Sequence, residues 1–547
     1  MDVIDFFLHN AFVRHNTIQL EAIKMKRVSI LNDVIGPIMR GPSSSHTAGP
    51  WRIGRIIRDM LGENPAEVIF YFHPISSMAI CYHDQGSDLA FVAGILNRDL
   101  TDPDFPRMLE IAQSENIKVS FKLKAFPEAD HPNSTLIEAT GEKGKKLTVH
   151  ARSIGGGSVE IASINGIPVK ITGDRYELIL ILDPSIRKVD EEALSATLRL
   201  WDKEAKKIVA ASNIALYGSS PLDPPAGISD NPGVISSCLA KPILFPLKGK
   251  EAFKDTLELL NMAERENMTL GKAAIFYEET LLDIPASQLN EEMDNKLKVM
   301  LESVHIGLTS RDLPMKLLTP TAWKVYESEK NGALFVGGIH SRAAARALAV
   351  MHVNSSGGVV CACPTGGSAG VIPAILSTLM EDFGLDRKKI LEALWAAGAV
   401  GLALARRSTF AAEVAGCQVE IGAAGAMGAA AVIEAAGGTA KQACDAAAIV
   451  FQNIMGSVCD LVQGVVEIPC HTRNAALASQ AFLCADLILG GYENLIPLDE
   501  TIDAVNSVGE MLPVELRCTS RGGLACCPSA QRLPRRDRNY NIQGAEI

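Results

Sequence analysis

Three cysteines in the carboxy-terminal half of the chain have the residue type and the surroundings of metal ligands. Cys417, Cys459 and Cys470 are separated by 41 and then 10 residues, and each lies near a glycine or a proline that lets the backbone turn. Thiolates of this kind hold iron–sulfur clusters and structural zinc. Three of them without a close fourth would leave one metal position open, as catalysis requires. Free cysteines are also among the most buried residues, so the spacing alone fits an ordinary core equally well.

A second candidate is a hydroxyl-rich turn at residues 41–49, which we call the histidine turn. Between its glycines it carries in succession Ser43, Ser44, Ser45, His46 and Thr47. Hydroxyl groups could hold a carboxylate, and an imidazole could move a proton near neutral pH. Serine and threonine are also the preferred N-cap residues of helices. The composition of the turn therefore fits either a substrate site or the start of a helix.

A third candidate is a turn at residues 365–368, which we call the glycine turn. Gly366 and Gly367 stand there between Thr365 and Ser368. Because glycine has no side chain, the backbone N–H groups of such a turn could come close to an anionic ligand. We expect these groups to bind the carboxylate of a substrate.

Other polar side chains could assist the same chemistry. Arg473 and Asn474 closely follow the third cysteine, and they are either hydrogen-bond donors behind the thiolates or ordinary residues of a helix surface. His46 is the first choice for a proton-transfer residue, with His83 and His131 behind it. A single histidine is more often a structural residue with satisfied hydrogen bonds than a base. His83 and His131 could therefore have either a structural role or a role in proton transfer.

Two kinds of structure must position these residues. From residue 28 to 158, short apolar runs such as 67–72 (EVIFYF) are interleaved with helical patterns, which predicts an α+β amino-terminal domain. From residue 247 to 547, helix-length periodic segments dominate, which predicts a mainly α-helical carboxy-terminal domain. The middle of that domain is rich in alanine and glycine, so its helices could approach one another closely.

Two further segments complete the predicted domain organisation. Residues 1–27 are an amino-terminal extension. Residues 159–246 contain a strand-like run, a helical stretch and another apolar run, which indicates a small β-α-β unit. A proline- and glycine-rich stretch at 219–233 follows and is typical of a linker or an exposed loop.

Composition limits the classes of partner. The formal net charge of −11 and the pI of about 5.6 disfavour a nucleic-acid surface, which needs clustered cations. The stretches 394–405 and 421–433 are shorter than the roughly 20 apolar residues of a membrane span. Residues 1–24 contain no uninterrupted apolar run of the kind that directs secretion. We therefore expect a cytoplasmic protein with no nucleic-acid or membrane partner, whose twelve cysteines stay reduced.

Six segments carry a recognisable combination of motifs. They are 41–49 (GPSSSHTAG), 153–158 (SIGGGS), 364–370 (PTGGSAG), 416–422 (GCQVEIG), 459–474, and 513–525 (PVELRCTSRGGLA). Together they resemble the iron–sulfur-dependent L-serine dehydratases, also called L-serine ammonia-lyases. The likeness covers most of 28–158 and 252–530, in the order of the single-chain members, in which a β-type domain precedes an α-type domain.

The resemblance implies a cofactor and a reaction. The cofactor is a [4Fe–4S] cluster with Cys417, Cys459 and Cys470 as its three protein ligands. The reaction is the dehydration and deamination of L-serine to pyruvate and ammonia, in which the open iron acts on the hydroxyl while a base such as His46 takes the Cα proton. The resemblance also implies an oxygen-sensitive enzyme of amino-acid catabolism that acts on a small molecule and could form a homodimer.

The chain departs from the family pattern at two places. Relatives commonly carry a histidine where this chain has Gln85, within 84–88 (DQGSD). The proton-transfer role then belongs to His46 or to His83, or else the substrate differs from serine. The tail at 539–547 has no cysteine, whereas some members place a tail cysteine on the open iron. Residues 159–246 only partly resemble the small amino-acid-sensing (ACT-like) domain of some relatives.

Three alternative functions follow from the same residues. One keeps the cluster but changes the substrate to cysteine or to another 3-hydroxy amino acid. Another is a non-catalytic protein that binds metal, such as zinc, through the same cysteines. A pyridoxal-phosphate lyase would catalyse the same overall reaction, but no lysine stands in a convincing context for the Schiff base.

Overall fold

The computed structural model of the protein describes residues 27–210 and 213–536. The predicted extension at 1–27, except Arg27, and the tail at 539–547 lie outside the described residues. Within the described part, an α+β amino-terminal region precedes a carboxy-terminal region that is mostly helical from about residue 250 to 530. The predicted fold class is confirmed.

The strands are concentrated in the first 240 residues. They are β1 (Ile38–Arg40), β2 (Pro65–Phe72), β3 (Lys118–Leu123), β4 (Ser134–Gly141), β5 (Lys146–Gly155), β6 (Ser158–Ile164), β7 (Ile167–Ile171), β8 (Tyr176–Leu182), β9 (Lys206–Ala210), β10 (Asn213–Ser220), β11 (Val234–Ala240) and β12 (Val359–Cys361).

Helices occur in both regions, and the last one within the described residues ends at Gln531. They are α1 (Ala48–Leu61), α2 (Ser77–Cys81), α3 (Ser87–Ile95), α4 (Met108–Ser114), α5 (Lys188–Trp201), α6 (Thr256–Arg265), α7 (Leu270–Leu282), α8 (Ala286–Thr309), α9 (Ala322–Lys330), α10 (Ile339–Ser355), α11 (Val371–Glu381), α12 (Arg387–Arg407), α13 (Ala412–Ala415), α14 (Ile421–Ala435), α15 (Ala440–Ile454), α16 (Cys470–Leu489), α17 (Leu498–Met511) and α18 (Pro528–Gln531).

A six-stranded sheet in the order β3-β2-β4-β5-β6-β7 forms the centre of the amino-terminal region. Only β2 and β3 pair in parallel, and the other neighbours are antiparallel. Alternate residues of β2 face the core, where Val68, Phe70 and Phe72 are fully buried. The aromatic rings of Phe70 and Phe72 pack against Phe91 of α3. The sheet continues past residue 158, because β6 pairs with β5 and β7 pairs with β6.

A separate four-stranded antiparallel sheet in the order β11-β8-β10-β9 follows. Leu194 and Leu198 of α5 join one apolar cluster with the buried residues Leu178 and Leu180 of β8. Alternate residues of β8 belong to the core of the first sheet, so this unit packs against the amino-terminal region. The predicted linker at 219–233 connects two strands of this one sheet, β10 and β11.

Close helix packing characterises the carboxy-terminal region. Every residue of α14 is buried. A methyl group added at Gly428 would lie 2.3 Å from Cδ1 of Ile375, and one added at Gly401 of α12 would lie 2.2 Å from Cγ1 of Val34. The small residues therefore allow neighbouring segments to approach where any side chain would clash.

A two-stranded antiparallel ladder joins the two regions. β1 precedes the histidine turn and pairs with β12, which precedes the glycine turn, with Ile38 opposite Cys361. The two turns, which are more than 300 residues apart in sequence, therefore follow two strands that are hydrogen-bonded to each other. Within the described residues, no helix is both long enough and apolar enough to cross a membrane.

Candidate active site

The three predicted cysteine ligands come from three different local structures. Cys417 opens a short 3₁₀ turn after Gly416, whose φ of 76° and close contact with the Ser457 carbonyl exclude a side chain. Cys459 lies in an irregular segment, and Cys470 is the first residue of α16. The three side chains are 1%, 2% and 4% exposed, so all are buried.

The thiol groups of these cysteines lie near one another. Those of Cys417 and Cys459 are close enough to interact directly, and Cys470 is near enough to Cys417 to interact electrostatically. Contact with Cys459 and burial raise the pKa of the Cys417 thiol well above its usual value, and burial raises that of Cys470 likewise. Among the described residues, no three histidine, cysteine, aspartate or glutamate side chains are arranged to hold one metal ion.

A fourth cysteine joins this group, although the sequence reasoning assigned it no role. The Cys518 thiol contacts that of Cys459, and its backbone N–H donates to the Cys459 carbonyl at 2.9 Å. The Cys459 N–H donates in turn to the carbonyl of Leu516 at 2.9 Å. Cys518 lies in the RCTSRGG motif. The only feature of the sequence that could have indicated its place beside the other thiols is that it is a cysteine within a family motif.

Arg473 lies beside the thiols, in agreement with the interpretation that it is a hydrogen-bond donor behind them. Its Nη1 donates to Sγ of Cys417 at 3.4 Å and to the Val458 carbonyl at 2.8 Å, and its Nη2 pairs with Asp460 at 2.9 Å. A guanidinium group at this distance favours the thiolate form of a cysteine.

The histidine turn is tied to itself and to its neighbours. Oγ of Ser43 and Nδ1 of His46 are 3.1 Å apart, and Oγ of Ser153 donates to the Ser45 carbonyl at 2.8 Å. Thr47 is the N-cap residue of α1, but its hydroxyl makes no capping hydrogen bond. That hydroxyl donates to the carbonyls of Arg40 and Ser43 instead. The turn therefore does precede a helix, as the N-cap interpretation predicts, but the Thr47 side chain does not cap that helix.

His46 is buried, with 1% of its surface exposed. Its Nε2 atom has no hydrogen-bond partner among the described residues. Burial lowers the pKa of the imidazole, and the nearby carboxylate of Glu413 opposes that lowering. A neutral imidazole with a free nitrogen can accept a proton.

Two hydrogen bonds connect the histidine turn, the glycine turn and the cysteine loop (residues 417–420 and 459–470, which carry the three cysteines). The Gly366 N–H donates to Oγ of Ser44 at 3.3 Å, and the Thr365 hydroxyl donates to Oε1 of Glu420 at 2.6 Å. Glu420 follows Cys417 by three residues, and burial raises its pKa to about 7. A methyl group added at Gly367 would lie 2.5 Å from that same carboxylate, so the glycine turn fits closely against it.

The remaining residues of the glycine turn are held internally and by α16. Oγ of Ser368 accepts from the Thr365 N–H at 3.2 Å. Asn474 is fully buried; its Nδ2 donates to the Gly367 carbonyl at 2.9 Å and its Oδ1 accepts from the Gly370 N–H at 3.1 Å. Asn474 therefore positions the turn. No described residue accepts a hydrogen bond from the Gly367 N–H.

Glu413 was not singled out in the sequence, yet it contacts several predicted site residues. Its Oε1 accepts from the Ser45 hydroxyl at 3.0 Å and from Nδ2 of Asn133 at 3.4 Å. It also acts on His131, where burial lowers the pKa of the imidazole and the Glu413 carboxylate opposes that effect. Glu413 and Glu420 were overlooked because glutamate is common and their contacts are distant in sequence.

His83 and Gln85 occupy different surroundings. The His83 side chain is 55% exposed, and Asp88 accepts from it at 2.7 Å, which raises the pKa of the imidazole. Gln85 is buried, and its Nε2 donates to the Gly464 carbonyl of the cysteine loop at 3.0 Å. Between these two, the residue that reaches the cysteine loop is Gln85.

Comparisons with known proteins agree with these motifs. A family model described as "Serine dehydratase alpha chain" matches residues 191–525. A probable L-serine dehydratase alpha chain of Bacillus subtilis (strain 168) is 36% identical over 284 residues, which are 52% of this chain and 95% of the relative. The probable beta chain of the same organism is 38% identical over 150 residues, which are 27% of this chain and 66% of the relative. An L-serine dehydratase of Streptomyces coelicolor is 26% identical over 503 residues, 89% of this chain and 96% of the relative.

Proposed function

The chain belongs to the L-serine dehydratase family, and from this premise we propose that it converts L-serine to pyruvate and ammonia with a [4Fe–4S] cluster bound by Cys417, Cys459 and Cys470. A relative that matches 89% of the chain bears the name L-serine dehydratase, as do the separate alpha and beta chains of another organism. The order of the two regions therefore fits a single-chain form of the enzyme.

The observation that carries the proposal is the short polar connection between the histidine turn and the thiols. Ser44 accepts from Gly366, Thr365 donates to Glu420, and Glu420 follows Cys417 by three residues. A buried imidazole with a free nitrogen and a group of buried thiols thus belong to one continuous site. General acid–base chemistry and metal chemistry could act there on the same small molecule.

The donor set fits an iron–sulfur cluster. The three thiols are buried and close together, and Arg473 donates a hydrogen bond to one of them. A cluster binds each thiolate through a different iron, so its cysteines need not converge on a single ion. When bound, such a cluster supplies a Lewis acid for the departing hydroxyl group.

The residues of the chain have separate tasks in this proposal. His46 is the proton acceptor: its Nε2 takes the Cα proton of the substrate, because burial keeps the imidazole neutral. The N–H of Gly367, with the hydroxyl groups of the histidine turn, binds the substrate carboxylate. Arg473 and Asn474 hold the cysteine loop and the glycine turn in position. The 2-aminoacrylate released then becomes its imine, which water converts to pyruvate and ammonia.

Anaerobic purification tests the proposal. We expect about four iron and four sulfide atoms per chain, a brown absorption that air bleaches, and pyruvate release from L-serine. Threonine and cysteine are assayed beside serine, because Gln85 occupies the position of a family histidine. Zinc without iron or sulfide would contradict the cluster, and a fully loaded protein that acts on cysteine but not on serine would contradict the substrate.

A further inference from the structure

The groups assigned so far leave one part of the substrate without a partner. At neutral pH serine carries an ammonium group as well as a carboxylate and a hydroxyl. The backbone and hydroxyl groups suit the carboxylate, and a neutral histidine cannot pair with a cation. An ammonium group in a partly desolvated site needs a carboxylate or several carbonyl oxygens around it.

Glu413 has the geometry of such a partner. Ser45 and Asn133 both donate to its Oε1, which fixes the orientation of the carboxylate. Within the described residues its Oε2 has no hydrogen bond, and no lysine or arginine lies within ion-pair distance of either oxygen. The side chain is only half-buried, so a small molecule can reach it.

The surroundings of Glu413 favour a cationic ligand. The imidazoles of His46 and His131 are near, and burial lowers the pKa of both, which keeps them uncharged. Glu420 adds a second carboxyl group in the same area. Arg473 already pairs with Asp460. A half-buried carboxylate without a cation is costly, and a bound ammonium group would offset that cost.

We propose that Glu413 binds the α-ammonium group of the substrate and so makes the site select α-amino acids over hydroxy acids that lack the amine. This inference rests on the proposed function, because it assigns one more residue of that site. Glu413 belongs to the helical region but is held by Ser45 and Asn133 of the α+β region. Recognition of the amine therefore requires both regions of the chain.

The test compares two ligands that differ only in the amine: L-serine, and 3-hydroxypropanoate as an inhibitor. In Glu413→Gln the amide oxygen can still accept from Ser45 and Asn133, but the negative charge is lost. We expect the KM for L-serine to rise about 10- to 100-fold, since a charge-assisted hydrogen bond is lost. The inhibition constant of 3-hydroxypropanoate should change by less than about threefold.

Two further variants separate recognition of charge from a structural role. Glu302→Gln removes an exposed carboxylate of α8, outside the proposed site, and should change neither constant. Ser45→Ala keeps the negative charge of Glu413 but removes one hydrogen-bond donor to it. The KM for L-serine should therefore rise less in this variant than in Glu413→Gln. The inference would be overturned if Glu413→Gln weakened the binding of both ligands equally, or if it weakened the binding of neither.

Failure of the proposed function is distinguishable from failure of this inference. If the wild-type protein releases no pyruvate, the shift in thermal midpoint that each ligand causes in the iron-loaded protein replaces the kinetic constants. Stabilisation by L-serine that disappears in Glu413→Gln supports the assignment. Equal stabilisation of the wild type and the variant by L-serine, or none of either, contradicts it.

Discussion

The histidine turn and the three cysteines Cys417, Cys459 and Cys470, which we propose to form one site, are held by different kinds of contact. In the turn, Ser44, Ser45 and Thr47 all have hydrogen-bond partners in the protein, and several of these partners are backbone groups. Among the cysteines, the thiols of Cys417 and Cys459 have each other as neighbours. The polypeptide alone therefore specifies the shape of the turn, whereas in the proposed function a bound cluster would add the remaining contacts of the thiols.

The difference has a consequence for mutagenesis. Replacement of a cysteine should affect the cofactor and every property that depends on it. Replacement of a residue of the histidine turn should affect proton transfer or substrate binding and leave the cofactor in place. Measurements of iron content and of activity on the same variants therefore test whether the two parts of the site are separable.

The largest effect is expected for Cys459→Ser. Cys459 is buried and contacts both Cys417 and Cys518, so its loss should remove bound iron and sulfide and abolish pyruvate release. The matched control is Cys444→Ser in α15, which alters a buried cysteine outside the site. Iron and sulfide counts give the result. Full cluster content in Cys459→Ser would show that another residue, such as Cys518, takes its place.

His46→Gln should have the next largest effect, and on activity alone. General base catalysis typically contributes about 10²- to 10⁴-fold, so we expect kcat to fall by about that factor while iron content stays at the wild-type level. His305→Gln, an exposed position of α8, is the control. A variant that keeps its kcat would transfer the proton-acceptor role to His131 or His83, and loss of iron would show that the two parts are not separable.

Sequence patterns predicted the architecture better than the boundaries. Apolar alternation and helical periodicity depend on near neighbours, and both regions follow them. The end of the first sheet was not predictable in the same way, because the pairing of β6 with β5 and of β7 with β6 depends on register between strands. The predicted linker at 219–233 is a connection within one sheet for the same reason.

Motifs were sufficient to propose part of the candidate site. The resemblance pointed to the cysteines and the histidine turn, and the structure brings the thiols of Cys417 and Cys459 into contact. Glu413 escaped notice because its partner Ser45 is 368 residues away in sequence, and nothing near either residue indicates that contact. Glu420 lies inside a quoted motif, but only its bond to Thr365 shows its connection to the glycine turn.

Asn474→Leu tests the connection between the two parts and should have an intermediate effect. The change leaves the Gly370 N–H and the Gly367 carbonyl without their partner, which should cost about 1–3 kcal/mol of stability. The thermal midpoint and kcat/KM should both fall, with iron content lowered only in part. Asn295→Leu, exposed on α8, is the control. Unchanged kcat/KM would show that the glycine turn does not need α16.

The smallest effect is expected for Thr47→Val, because the histidine turn has several supports. The Ser43 carbonyl accepts from the Thr47 hydroxyl but also from the backbone N–H groups of His46 and Thr47, so the change removes one of its three donors and one donor to the Arg40 carbonyl. The loss should cost less than about 1 kcal/mol and leave iron content unchanged. A capping hydroxyl would cost more, typically about 1 kcal/mol with a frayed first turn of α1. Thermal unfolding and iron counts on one preparation distinguish these outcomes, and a large loss of activity would show that the hydroxyl itself meets the substrate.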